Sequence, residues 1–312
     1  MLKRRRLSLL VGGVAFGLLV FAGALSLAPS TRTDHIATVP VSYGDWKVRD
    51  SLGVPKNKAR PRMRCQAALV VDNAAGEIVY ARNAYVRRPI ASLTKLLTAL
   101  VLLQSDADLN AVVEVTAEDA RESGRSRLRQ GEQMTLRDAL HAALMSSDNR
   151  AARVLSRSAG MTYERFIARM NILARALGMD STHVVEPTGL SELNIATAYD
   201  CAILVNTALD NHLIRHIATT REYTFRSLDR RKRAHRMVNT NRLLASSLKF
   251  DGAKTGYILE SGWCIAGRAR SADGDDITTI VLGAPTEGSR FRAMRDAFLW
   301  AFRLPKPEAS QS

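Results

Sequence analysis

Cysteine is scarce in this 312-residue chain. Cys65, Cys201 and Cys264 make an odd number with no C-x-x-C spacing. None has a histidine partner in a recognisable setting, which argues against a cysteine nucleophile. Cys65 and Cys264 fall in predicted strands of one sheet, which leaves a bridge between them open. Three buried thiols is the expected state. The H-E-x-x-H metalloprotease pattern is also missing. His212 and His216 have i, i+4 helical spacing, but Leu213 stands where the glutamate is needed, so a structural pair is expected and no metal site. No internal repeat or heptad is visible. Acidic residues are outnumbered by basic ones, 30 against 45, and none precedes Asp34.

The deficit of acid gives a formal net charge of +15, or +11 once residues 1–28, with four basic side chains, are removed. Arg226, Arg230, Arg231, Lys232, Arg233 and Arg236 are the densest cluster. They sit between the strand-like Glu222–Phe225 and Met237–Val238, which reads as a hairpin tip. A basic cluster often marks nucleic-acid binding. The chain start argues otherwise. Met1-Leu2-Lys3-Arg4-Arg5-Arg6 is followed by 22 residues, Leu7 to Ala28, without a charge. That is an export signal, so no nucleic-acid partner is expected, and anionic wall polymer or lipid headgroups suit the cluster better. The apolar run is long enough to span a bilayer. Ala22-Gly23-Ala24 and Ser26-Leu27-Ala28 resemble cleavage sites. Both a cleaved signal peptide and an uncleaved anchor stay open for residues 1–28. Residues 29–62, with Pro29, Pro40, Pro55 and Pro61, read as a linker in which Val39–Trp46 packs on the domain or meets a partner. A single catalytic domain over 63–304 and a short tail, 305–312, complete the layout.

Three short motifs carry the chemistry. The first is Ser92-Leu93-Thr94-Lys95. Leu96, Leu97, Leu100 and Leu103 predict a helix over 90–104, with Ser92 in its first turn and Lys95 three residues on, on the same face. A serine hydroxyl needs a nearby base to become a nucleophile. Lysine serves as that base only when its pKa is lowered, which burial or a second cation does. Lys254 is a candidate second cation. The second motif, Ser147-Asp148-Asn149, follows an amphipathic helical run from Thr135 to Met145. It reads as an interhelical turn, with Asp148 or Asn149 as N-cap, that pushes a hydroxyl and an amide toward a cleft. The third, Lys254-Thr255-Gly256, opens a strand followed by two more, Gly262–Gly267 and Ile277–Leu282, with a hairpin turn over 271–275. Gly256 suits an edge strand that another backbone approaches closely, such as an extended peptide. Lys254 and Thr255 would then meet a substrate carboxylate. Taken singly, each motif also fits a helix cap, a turn or a glycine bulge. A second Ser-x-x-Lys, Ser246 to Lys249, shows how weak one alone is. In this order they gather a serine, a lysine base, a second hydroxyl and a cationic strand edge around one carbonyl, which is equipment for acyl transfer.

These motifs and their settings resemble the low-molecular-mass penicillin-binding proteins, the D-alanyl-D-alanine peptidase family. The likeness extends to a hairpin over 68–83, to Arg88-Pro89-Ile90-Ala91, to Glu186-Pro187-Thr188-Gly189-Leu190-Ser191, to Asn239-Thr240-Asn241 and to the final helix, and so spans about residues 65–303. Leu144 to Ala152 is most similar to the D,D-endopeptidase subfamily that includes penicillin-binding protein 7. The resemblance implies an α/β (α+β) chain with the D,D-peptidase/serine β-lactamase fold. An antiparallel sheet is flanked by helices, and a helical subdomain near 105–217 carries Ser147. It implies that Ser92 attacks a D-Ala carbonyl, Lys95 takes the proton, and Ser147 relays a proton to the leaving amine in the field of Lys254. Asn149 holds substrate, and the backbone N–H groups of Ser92 and Tyr257 form the oxyanion hole. Catalytic Ser92, Lys95 and Ser147 and substrate-binding Asn149, Lys254, Thr255, Gly256 and Tyr257 are thus expected, with no cofactor. The expected partners are peptidoglycan stem peptides and β-lactams. Endopeptidase action on crosslinks leads, with carboxypeptidase action on stem ends behind it. A β-lactamase is weaker, because Glu192-Leu193-Asn194 lacks the Glu-x-x-x-Asn spacing. A non-catalytic scaffold of wall enzymes is the reading from another class.

Overall fold

The computed structural model describes residues 43–49, 60–124 and 126–305. In chain order, the strands are β1 (Lys47–Val48), β2 (Ala67–Asp72), β3 (Glu77–Arg82), β4 (Arg88–Pro89), β5 (Val112–Glu114), β6 (Gln133–Thr135), β7 (Ile195–Ala196), β8 (Glu222–Arg226), β9 (Ala234–Val238), β10 (Lys249–Ile258), β11 (Gly262–Arg270) and β12 (Asp276–Ala284). The helices are α1 (Thr94–Leu103), α2 (Ala117–Ala120), α3 (Leu136–Met145), α4 (Asn149–Arg157), α5 (Tyr163–Ala176), α6 (Ala198–Asp210), α7 (His212–Thr219) and α8 (Glu287–Ala301).

The main sheet runs β1-β3-β2-β12-β11-β10. All its pairings are antiparallel except the outermost, where β1 lies parallel to β3. β2 shows why the sheet is internal. Its run Ala67-Ala68-Leu69-Val70-Val71 is buried throughout, as expected of a strand covered on both faces. Leu69 and Val71 join a core built with the helices of the 94–219 region, while Ala68 and Val70 join a second core under α8, with Phe291, Met294 and Phe298. The sheet is therefore the middle layer, as the resemblance implied. β10 is its edge, so one side of that strand is free to border a cleft.

Part of the stretch read as a linker belongs to this domain. Trp46 packs edge-on against Tyr199 at 5.2 Å, and Tyr43 donates to Asp210 at 2.6 Å. Burial, reinforced by that carboxylate, pushes the Tyr43 phenol up to about 12. The cap signals behave as their chemistry requires. Thr135 and Asp138 close a capping box on α3, and Asp148 caps α4 by accepting from Ala151 N at 3.1 Å. Cys65, Cys201 and Cys264 are buried free thiols. Among the described residues no helix is long and apolar enough to cross a membrane; residues 1–28 lie outside them.

Candidate active site

Ser92 stands in a tight 3-10 turn, Ala91–Leu93, that leads into α1. The sequence predicts a helix from residue 90, but the α-helix begins only at Thr94. The reason is crowding. Gly256 on β10 and Gly189 press on the turn from two sides. A Cβ at Gly256 would lie 2.9 Å from both Ala91 Cβ and Ser92 N, and one at Gly189 would lie 2.0 Å from Ala91 O. The backbone that Gly256 admits on this side is thus the turn that carries Ser92. Ala91 is held at φ +48°, a region that non-glycine residues enter at a cost and that clusters at functional sites. The turn still serves the chemistry, because residues i and i+3 of a 3-10 turn eclipse one another. Lys95 Nζ lies 3.0 Å from Ser92 Oγ.

Lys95 is wholly buried, and burial brings its pKa from 10.5 down to about 8, against the pull of Glu186 and Asp148. Its amine also donates to Asn149 Oδ1 at 2.6 Å and to the carbonyl of Thr188 at 2.5 Å. These two acceptors decide the geometry. A neutral lysine has two N–H bonds and one lone pair. An amide oxygen and a backbone carbonyl can only accept, so they take both N–H bonds. The lone pair is left facing Ser92. The Asn149 amide has one consistent orientation, because its nitrogen donates to Ser123 O at 2.9 Å. Asn149, expected to hold substrate, therefore spends both ends of its amide inside the protein and holds Lys95.

Ser147 follows α3 and is strained in the same sense as Ala91, at φ +59°. Its hydroxyl accepts from Lys254 Nζ at 2.8 Å. Lys254 is buried and also donates to Thr255 O at 2.9 Å. Burial first, then the charges of Lys95 and Arg290, hold its ammonium well below the ordinary lysine range. The cation expected to depress Lys95 is thus itself depressed, and desolvation does most of the work on both.

These pieces meet at a cleft of about 500 Å3. Ser92, Ser147, Asn149, Thr255, Gly256 and Tyr257 line it, with Lys95 and Lys254 buried beneath the two serines. All eight residues anticipated from the motifs are brought together. The structure adds others. Thr240 receives the Thr255 hydroxyl at 2.6 Å. Arg290 of α8 reaches the cleft floor, donates to Gly256 O at 3.0 Å and lies 4.8 Å over the Trp263 ring. Burial lowers its guanidinium to about 10. Glu186 organises the loop that supplies Thr188 O, accepting from the Thr188 hydroxyl at 2.6 Å and from Gly189 N at 2.5 Å. No motif signals these three roles. The family likeness of Glu186 to Ser191, of Asn239-Thr240-Asn241 and of the final helix was the available hint.

Residues 54–286 match the family described as D-alanyl-D-alanine carboxypeptidase. The chain belongs to that family. It is 37% identical over 221 residues to a D-alanyl-D-alanine endopeptidase of Pseudomonas aeruginosa, covering 70% of this chain and 71% of that protein. It is 34% identical over 213 residues to a D-alanyl-D-alanine endopeptidase of Escherichia coli, covering 67% and 68%. Among solved structures, the Streptomyces K15 DD-transpeptidase superposes with a TM-score of 0.74 at 26% identity, over 79% of this chain and all of that one. The fold expected from the sequence is therefore the fold of this family, and the chain is a serine-type D,D-peptidase.

The remaining sequence features fall outside the cleft chemistry. The basic cluster is a hairpin, β8 and β9, as expected. Two of its members are paired within the protein: Arg233 with Glu132 at 2.7 Å and Arg236 with Glu222 at 2.6 Å. Arg230, Arg231 and Lys232 are exposed at the tip. His212 and His216 lie on α7, where His212 Nδ1 is 2.8 Å from Arg215.

Proposed function

We propose that the chain cuts D-Ala peptide bonds of peptidoglycan crosslinks as a D,D-endopeptidase, through an acyl-enzyme on Ser92. The observation that carries the acyl-enzyme step is the saturated environment of Lys95, which leaves one lone pair and aims it at one hydroxyl; the likeness to D-alanyl-D-alanine endopeptidases supports the crosslink as substrate. Ser92 Oγ attacks the D-Ala carbonyl carbon while its proton passes to Lys95 Nζ. The backbone N–H groups of Ser92 and Tyr257 receive the oxyanion, an interaction that removes about 3 kcal/mol of barrier per donor in other hydrolases. Ser147, bonded to Lys254, hands a proton to the departing amine as the C–N bond breaks. The proton that Lys95 took from Ser92 replaces the one Ser147 gave up, which leaves Lys95 neutral again. Water then attacks the ester, Lys95 takes its proton and returns it to Ser92 Oγ as the acyl C–O bond breaks. Arg290 supplies positive charge and Thr255 a hydroxyl toward the carboxylate beyond the scissile bond, with Lys254 beneath them. A β-lactam presents its ring amide to the same hydroxyl.

Carboxypeptidase action is the second reading, because a stem end offers the same carbonyl and carboxylate to the same groups. A β-lactamase is less suitable. Glu186 has its carboxylate occupied by Thr188, Gly189, Ser191 and Asn194, and so is not available to activate water. The export signal supports work outside the cytoplasm, in the periplasm or at the outer face of the cytoplasmic membrane. The exposed hairpin tip, Arg230-Arg231-Lys232, supplies contact with anionic wall or membrane material.

The test is digestion of purified sacculi followed by muropeptide separation. Loss of crosslinked dimers supports the endopeptidase, and loss of pentapeptide ends alone supports the carboxypeptidase. Ser92→Ala should abolish both, together with labelling by fluorescent penicillin. Ser246 should not take over, since its hydroxyl is turned to Leu243 O at 2.6 Å. Labelling that survives in Ser92→Ala refutes the nucleophile.

A further inference from the structure

A second depression, of about 570 Å3, lies beside the cleft and is comparable to it in size. No residue lines both, but chain neighbours divide between them: Asn149 borders the cleft and Arg150 the depression. Asp148 sits between cleft residues Ser147 and Asn149, yet its carboxylate accepts from Ser126 Oγ at 2.7 Å and Arg127 N at 3.0 Å, which border the depression. β9 lines the depression with Ala234, His235 and Arg236, and the cleft with Val238. Two residues along a strand span about 7 Å, so one short peptide reaches both sites.

The lining is strongly cationic. Arg127, Arg129, Arg150, Arg233 and Arg236 all contribute to it. Arg233 and Arg236 have the carboxylate partners already described. Arg127 and Arg150 instead donate to backbone carbonyls, of Arg236 at 2.5 Å and of Leu128 at 2.7 Å. A carbonyl fixes a guanidinium without cancelling its charge. His235, with its side chain buried, closes the floor 3.3 Å from Glu132. Guanidinium groups held in place lose little freedom on binding and match carboxylates two bonds at a time.

We propose that this depression binds a carboxylate-bearing arm of the crosslinked peptide while the cleft holds the scissile D-Ala bond. The inference rests on the endopeptidase reading and adds the site for the second arm. The volume lies in the range of small-ligand sites, which suits a short peptide segment.

The test is titration calorimetry of the full chain with the isolated acceptor-arm peptide, its carboxylates either free or amidated. The free acid should bind about tenfold more tightly, as expected for a few half-exposed charge pairs, and the preference should shrink as salt rises. Arg127→Gln with Arg129→Gln should remove most of it. Arg129→Gln alone changes an exposed side chain and should remove part of it, which covers the case in which the double variant does not fold. Equal binding of the two peptides, or a preference that survives these changes, overturns the proposal. Displacement by inorganic phosphate, but not by chloride at equal ionic strength, would also overturn it in favour of a phosphate site. Failure of the endopeptidase reading looks different: carboxylate-dependent binding persists, but the crosslinked dimer is not cleaved.

Discussion

Replacing Asn149 by Asp tests the heart of the site with the least change of shape. The side chains are isosteric, but the new group is a carboxylate in contact with Lys95 Nζ, where the amide oxygen lies at 2.6 Å. In the wild type, burial holds Lys95 near pH 8, so at pH 7 about a tenth of it is the neutral base. Acylation of Ser92 by penicillin should then rise about tenfold per pH unit below 8 and level off above it. A carboxylate in contact raises a lysine pKa by about 1–3 units. Asn149→Asp should therefore slow acylation at pH 7 by roughly ten- to a thousandfold and carry the inflection upward by the same interval. The lost bond to Ser123 O costs about 1 kcal/mol, too little to unfold a domain of this size. Stopped-flow labelling across pH 6 to 10 gives the profile, and recovery of rate at high pH shows that the fold is intact. A variant with the wild-type inflection refutes the assignment of Lys95 as the base and turns attention to the Lys254–Ser147 pair.

Three further outcomes are expected. Lys95→Arg keeps a cation of similar reach but never a lone pair at this pH, so acylation should fall about a hundredfold or more by the same assay; a wild-type rate contradicts the base role. Gly256→Ala places a methyl 2.9 Å from Ala91 Cβ and Ser92 N and should displace the nucleophile turn, with a stability loss of about 1–3 kcal/mol by denaturant titration and slower acylation; unchanged values mean the turn is not packed as described. Changing Arg230, Arg231 and Lys232 together to Gln should weaken co-sedimentation with sacculi at low salt while small-substrate turnover stays the same; binding that resists both the change and high salt leaves the tip without a partner.

The sequence made the site legible where chemistry depends on residue type at short range. Ser92 with Lys95 is readable because three residues bring one side chain over another, and the last three strands are readable from their alternation and their turn. What escaped notice are contacts across long separations. Nothing near Asn149 announces that its amide faces Lys95, 54 residues away, or that Thr188 O completes the same set from 93 residues away. Gly256 was recognised as a point of close approach, but Ala91 as one of its neighbours was not foreseen, since only the folded chain brings Ala91 there. β1 has two residues and lies in a proline-punctuated stretch, too short for any periodicity to reveal.

The burial of Lys95 has a consequence for the chain before it folds. An extended chain already carries all three motifs, but its lysine is hydrated and has an ordinary pKa, so Ser92 is then a plain alcohol. Activation requires Asn149, Thr188 and the cover over α1 to arrive from distant segments, and such closures come late because each must overcome chain entropy. Reactivity is therefore a product of completed folding. A nascent or misfolded copy should neither hydrolyse peptide nor capture a β-lactam, and covalent labelling of Ser92, where it occurs, should count finished molecules only.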